Sequence, residues 1–136
     1  MTTTRQNILS NIVSTLQGVT SIKHVEANRF TAVDAEVIPY PACFIYSDRE
    51  ERVEETLSRE TWRWTVILEV WMRGSTDAET MLAAIHQAMQ NDFTRGGYAY
   101  NSYRTGVEFL IIDPAKETHA MLITYTVRYY HAVGVM

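Results

Sequence analysis

The chain has a single cysteine, Cys43, so no disulfide can form within it. A lone thiol suits a reducing compartment and leaves no cysteine pattern for zinc. Positive charge is also short. Twelve Lys and Arg stand against sixteen Asp and Glu, giving a net charge of -4 and a pI of about 5.5. That balance argues against a protein that grips nucleic acid through phosphates, though not against one that DNA merely passes. No apolar run approaches the ~18 residues of a membrane span, and "MTTTRQNILSNIV" lacks the apolar block of a signal peptide. The expectation is a soluble protein of the cytoplasm with no membrane contact. There is no internal repeat and no low-complexity linker. At 136 residues, the chain is expected to form one domain, 1–136.

Signs of catalysis are equally scarce. His24, His86, His119 and His131 have no carboxylate, cysteine or second histidine at ligand spacing. His86 reads as a mid-helix residue at the surface or at the boundary with the core. Cys43 lies inside the apolar run "ACFIYS" with no adjacent base, which suits a small buried hydrophobe better than a nucleophile. The only Gly pair, in "RGGY", lacks the remaining residues of a phosphate loop and reads as a helix cap followed by a flexible loop. No serine sits in a Gly-x-Ser-x-Gly elbow. The sequence therefore gives no positive sign of an enzyme, a cofactor or a metal.

Periodic apolar stretches are plentiful. In "TTRQNILSNIVSTLQG", Ile8, Leu9, Ile12, Val13 and Leu16 form one helical stripe. Thr3 and Gln6 have the spacing of a capping box, and Gly18 marks the end. A second helix is expected in "STDAETMLAAIHQAMQNDF", with Thr76 and Glu79 as its capping box and Met81, Leu82, Ile85 and Met89 on its buried face. Strands are expected at Ser21–Asn28, in "ACFIYS", in "TWRWTVILEVWMR", in "VEFLIID" and in "HAMLITYTVRYYH". "RFTAVDAEVIPYP" and "TRGGYAYNSYRTG" read as irregular connections. The fold class that follows is α+β, a two-layer sandwich. It has a mainly antiparallel sheet of four to five strands and two helices on one face.

The stretch "SDREERVEETLSRETWRWTVILEVWMRG" stands apart. It has neither Gly nor Pro before Gly74. From Thr61 it alternates, with Trp62, Trp64, Val66, Leu68, Val70 and Met72 on one face. Ile67 and Trp71 fall on the other, nominally wet face, which suggests a surface that something covers. Upstream lie Asp48, Arg49, Glu50, Glu51, Arg52, Glu54, Glu55, Arg59 and Glu60 without a tight-turn residue. Such a run is usually a solvated tip. It also suits an extended β-hairpin arm that gains stability from another molecule, with Arg and Glu pairing across a subunit boundary. The candidate interface residues are therefore Asp48, Arg49, Glu50, Glu51, Arg52, Glu54, Glu55, Arg59, Ile67 and Trp71.

In its order of elements, the chain resembles the phage tail terminator family of the phage lambda protein U type. The residues that carry the resemblance are Pro41-Ala42, Glu50-Glu51, Thr61-Trp62, Glu69-Val70-Trp71, Asp77 and "LITYTVRYY", spread over residues 3 to 131. The connection "RFTAVDAEVI" has no counterpart in that pattern. The resemblance implies a virion protein, assembled in the host cytoplasm. It would form a homo-oligomeric, hexameric ring on the head-proximal end of the tail tube. The ring stops tube polymerisation and docks a neck or head-completion protein, and in contractile phages it also meets the sheath protein. Genomic DNA passes through the lumen without specific binding, and no cofactor is needed. Another head–tail joining protein of the neck would share this composition. An enzyme or small-ligand domain would need a pocket with convergent polar groups, which the sequence does not reveal.

Overall fold

The computed structural model describes residues 3–27, 39–55, 59–74 and 77–132. The elements run α1 (Thr4–Gln17), β1 (His24–Ala27), β2 (Ala42–Glu55), β3 (Arg59–Arg73), α2 (Ala78–Asn91), β4 (Asn101–Asp113) and β5 (Thr118–Ala132), with a single 3₁₀ turn at Pro114–Lys116. The sheet has five strands in the order β1-β2-β3-β5-β4. Among the described strands the β1–β2 pair alone is parallel; the other neighbours are antiparallel. This is the expected two-layer α+β sandwich. The connection "RFTAVDAEVI" lies outside the described residues.

α1 forms where its apolar stripe demands. Thr3 caps it with the reciprocal bonds of a capping box, and Ile8, Ile12 and Leu16 are fully buried. α2 starts at Asp77 instead of the expected Thr76. Asp77 accepts from the Glu79 backbone N–H at 3.0 Å and from the Thr80 hydroxyl at 2.8 Å. These bonds, led by the one from Thr80, hold its carboxyl below the usual range. Thr76 itself is outside the described residues. Met81, Ile85 and Met89 of α2 point inward, while Leu82, Ala78 and Ala88 border them.

Both helices cover the sheet face formed by Trp64, Val66, Leu68, Val70 and Met72 of β3 and by Met121, Ile123, Tyr125, Val127 and Tyr129 of β5. Each large apolar side chain buried this way is worth about 1.5–3 kcal/mol. Cys43 lies in this core, and burial pushes its thiol up to about 12, aided by the nearby Glu69 charge.

Two expectations around the Gly pair are corrected. α2 ends at Asn91, and "RGGY" is a turn beyond it instead of the helix cap. Arg95, Gly96 and Gly97 all have positive φ, at 51°, 71° and 90°. Asp92 anchors the turn: the Gly96 N–H donates to both of its carboxylate oxygens, at 2.9 and 3.0 Å. Asn11 Nδ2 donates to the same carboxylate at 2.9 Å, which ties α1 to the end of α2. The stretch "NSYRTG", expected in a loop, belongs to β4. Its polar residues hide the strand because β4 is an edge strand with much of its surface in solvent.

Candidate assembly surfaces

The charged arm is built by strand extension. β2 and β3 remain paired from Ala42↔Trp71 to Glu55↔Glu60. Asp48 falls in a bulge between Ser47 and Arg49, and Val53 in a second between Arg52 and Glu54. Both Asp48 and Val53 are exposed. The arm is more than the expected two-stranded hairpin. β5 runs alongside it, pairing Tyr129 with Trp62, Tyr130 with Thr61 and Ala132 with Arg59. β4 begins only at Asn101, opposite Arg128, so three strands continue where β4 is absent. The third strand supplies, within the chain, the support that a bare hairpin would have drawn from a partner.

The arm charges are also largely spent inside the chain. On the helix side, Arg5 of α1 reaches Glu50 at 3.2 Å and donates to the Ser47 hydroxyl at 3.1 Å. Its guanidinium lies 5.0 Å from the Trp64 ring centroid, and Trp64 Nε1 donates to the same Ser47 hydroxyl at 2.7 Å. On the outer face, Arg63 pairs with Glu51, its Nε donating at 2.9 Å, and Arg49 approaches Glu51 at 3.5 Å. The bond from Arg63, with the charges of Arg63 and Arg49, holds the Glu51 carboxyl below its ordinary value. Nearer the tip, Arg52 approaches Glu60 at 3.8 Å, and Trp62 Nε1 donates to Glu60 at 2.9 Å. The backbones of Glu54, Glu55 and Arg59 sit in the ladder; their side chains lie outside the described residues. Most of the nine charges therefore brace the arm within the chain.

Ile67 and Trp71 take the outer face as expected, beside Tyr46 and Ala42 of β2 and Thr124 and Ala120 of β5. Both are half-buried within the chain. The Trp71 indole N–H is buried without a hydrogen-bond partner among the described residues.

A second surface escaped the sequence reading. No described strand pairs with the outer edge of β4. Along it, Phe109 is 52 % and Ile111 78 % exposed, and Ile112 and Tyr103 are exposed as well. A long edge strand with an apolar end is a template for pairing with another chain. Beside it, between β4 and α2, lies a cavity of about 370 Å³ lined by His86, Gln90, Phe93, Asn101, Tyr103 and Tyr125 together with Arg104 and Ser102. Tyr125 is only 2 % exposed, and among the described residues neither its hydroxyl nor the buried Nδ1 of half-buried His86 has a hydrogen-bond partner. An unmet buried polar group costs about 1–3 kcal/mol. Burial pushes the Tyr125 hydroxyl's pKa up, and the Arg104 and Arg95 charges oppose that shift. Expecting a loop at 94–106 concealed this cavity, since it exists only once β4 is a strand.

Arg95 was also invisible as a core residue. It is fully buried, its guanidinium donating to the Met89 carbonyl and, at 3.5 Å, to the Thr15 hydroxyl. A cation at a helix C-terminus adds a charged bond to an end carbonyl, here one that also accepts from the Asp92 N–H at 3.4 Å. Burial lowers the Arg95 pKa from its ordinary value, against the pull of Asp92. Its role is to lock α2 to α1.

Among the described residues, no three His, Cys, Asp or Glu side chains lie close enough to hold a metal ion. No described helix is long and apolar enough to cross a membrane. The geometry thus defines a two-layer α+β domain with two unlike surfaces, an acidic arm and an open apolar edge. No protein-family model matches the chain, and neither does any curated protein. Among solved structures, it is similar to a chain of the "Virion of native gene transfer agent (GTA) particle", with a TM-score of 0.44 and 6 % identity over 94 % of this chain and 92 % of that one.

Proposed function

We propose that the chain is a virion structural protein of a tailed phage, a tail terminator whose copies join head to tail in a hexameric ring. The ring caps the head-proximal end of the tail tube, stops its growth and offers a docking surface to the neck. The proposal combines the sequence resemblance with one structural observation. A single subunit carries two different surfaces, the arm in which β2, β3 and β5 run on past the start of β4 and the free outer edge of β4. Two unlike patches make a heterologous contact, and a heterologous contact that closes gives a ring. The net charge of -4 suits a lumen that DNA passes without sticking. The protein acts by binding, without catalysis or cofactor.

The test is a capping assay with isolated tail tubes and filled heads. The protein is expected to bind tube ends and arrest their growth. Replacing Glu54 and Glu55 by Lys is expected to abolish capping while the circular dichroism spectrum stays unchanged. Binding to filled heads with no affinity for tubes would instead mark a neck protein. Unimpaired capping by the double variant would remove the arm from the account.

A further inference from the structure

We propose that the cavity between α2 and β4 is the socket for an acidic side chain on the arm of a neighbouring copy. The proposal rests on the ring reading and names the contact that would close it.

The socket is unfinished within its own chain. The Tyr125 hydroxyl and His86 Nδ1 are buried there without partners among the described residues. Arg104, exposed, stands directly opposite Tyr125 in the β4–β5 ladder. Gln90, Asn101 and Ser102 add further polar groups, and Phe93 and Tyr103 supply exposed aromatic walls. Among the described residues no acid lines the cavity, and Arg104 brings a full positive charge to it. A carboxylate entering it would accept from the Arg104 guanidinium and the Tyr125 hydroxyl, and charge-assisted bonds of this kind are the strong ones. An orphaned buried hydroxyl then gains a partner only in the assembly.

The arm carries the matching charge. Asp48 to Glu60 holds six acids against three arginines. Glu50, Glu51 and Glu60 are engaged within the chain by Arg5, Arg63 and Arg52. Glu54 and Glu55 close the strand at the arm's end, where β2 stops. The arm cannot enter the socket of its own subunit. β3 and β5 separate β2 from β4 in the sheet, a span of about 14 Å at normal strand spacing. The arm also leaves the sheet beyond the point where β4 begins. The occupant is therefore the arm of a second copy, and the contact runs from one face of a subunit to a different face of the next.

Charge exchange between full-length variants tests this. Arg104→Glu reverses the socket, and Glu54→Lys with Glu55→Lys reverses the arm. Sedimentation velocity on the wild type, on each variant and on their equimolar mixture reads the assembly. Each variant alone is expected to associate at least about tenfold more weakly than wild type. The mixture is expected to recover assembly, because in a ring of alternating copies every reversed socket meets a reversed arm. Circular dichroism confirms that each variant is folded, and Arg104→Gln repeats the socket test without a new charge. Wild-type assembly with an unaffected Arg104→Glu variant overturns the socket and leaves the ring standing. A mixture that fails to recover also overturns it. Loss of tube capping by Arg104→Glu with rings intact assigns the socket to a tail partner and overturns the proposal. A wild type that never associates, in solution or on tubes, removes the ring reading itself.

Discussion

The Arg5 guanidinium lies 3.2 Å from Glu50 and 5.0 Å from the centre of the Trp64 ring. One side chain of α1 thereby clamps the base of the arm to the largest residue of the core. The arm is thus held in its extended direction before any partner arrives, which lowers the entropic cost of docking. Arg5→Ala is expected to change stability by less than about 1 kcal/mol, because the ion pair is partly exposed. It is expected to weaken assembly more than it weakens the fold. Unfolding in urea alongside sedimentation separates the two effects, and equal losses in both would contradict a positioning role.

Arg95 presents the opposite case. It is buried and donates to the Met89 carbonyl, and nothing about it points to a partner. Arg95→Met is expected to cost about 2–3 kcal/mol by removing the charged hydrogen bonds that tie the end of α2 to α1. Urea denaturation measures it. Below its melting point, the variant is expected to assemble like wild type.

Cys43 offers a test of the core. It is fully buried, and its thiol is pushed up to about 12. Modification by a thiol reagent at pH 8 is expected to be slow in the native state and rapid in urea. Rapid labelling of native protein would place β2 elsewhere.

Acid should loosen the link between α1 and the turn after α2. The Gly96 N–H first, and Asn11 next, hold the Asp92 carboxyl below its ordinary value. A depressed pKa in the folded state stabilises the protein above the unfolded value near ~3.9 and is lost as pH falls through the folded value. Wild type is expected to lose stability on acidification below about pH 5. Asp92→Asn is expected to be weaker at pH 7 and to show a shallower acid slope in urea midpoints. Parallel slopes would contradict the assignment.

Much of the fold could be read from local periodicity. Ile8, Ile12 and Leu16 announce α1, and the alternation from Trp62 to Met72 announces β3, because both patterns follow from burial on one face. The arm's direction was readable too, from the missing turn residues. What stayed hidden depends on distant partners. That Tyr129 and Tyr130 support the arm is settled by pairing with Trp62 and Thr61, almost seventy residues earlier. That Glu50 is spent on Arg5 is invisible across a gap of 45 residues. β4 was obscured because its first half is polar, as an edge strand can be. Arg95 was obscured because a charged residue beside two glycines usually lies in solvent.

The central claim is that the chain closes the growing end of a tail tube as a ring. Electron microscopy of tail tubes incubated with the purified protein tests it most directly. The expected image is a ring of six copies on one end of each tube, with no further lengthening when tube protein is added. Tubes with bare ends that keep growing, with the protein remaining a monomer beside them, would contradict it.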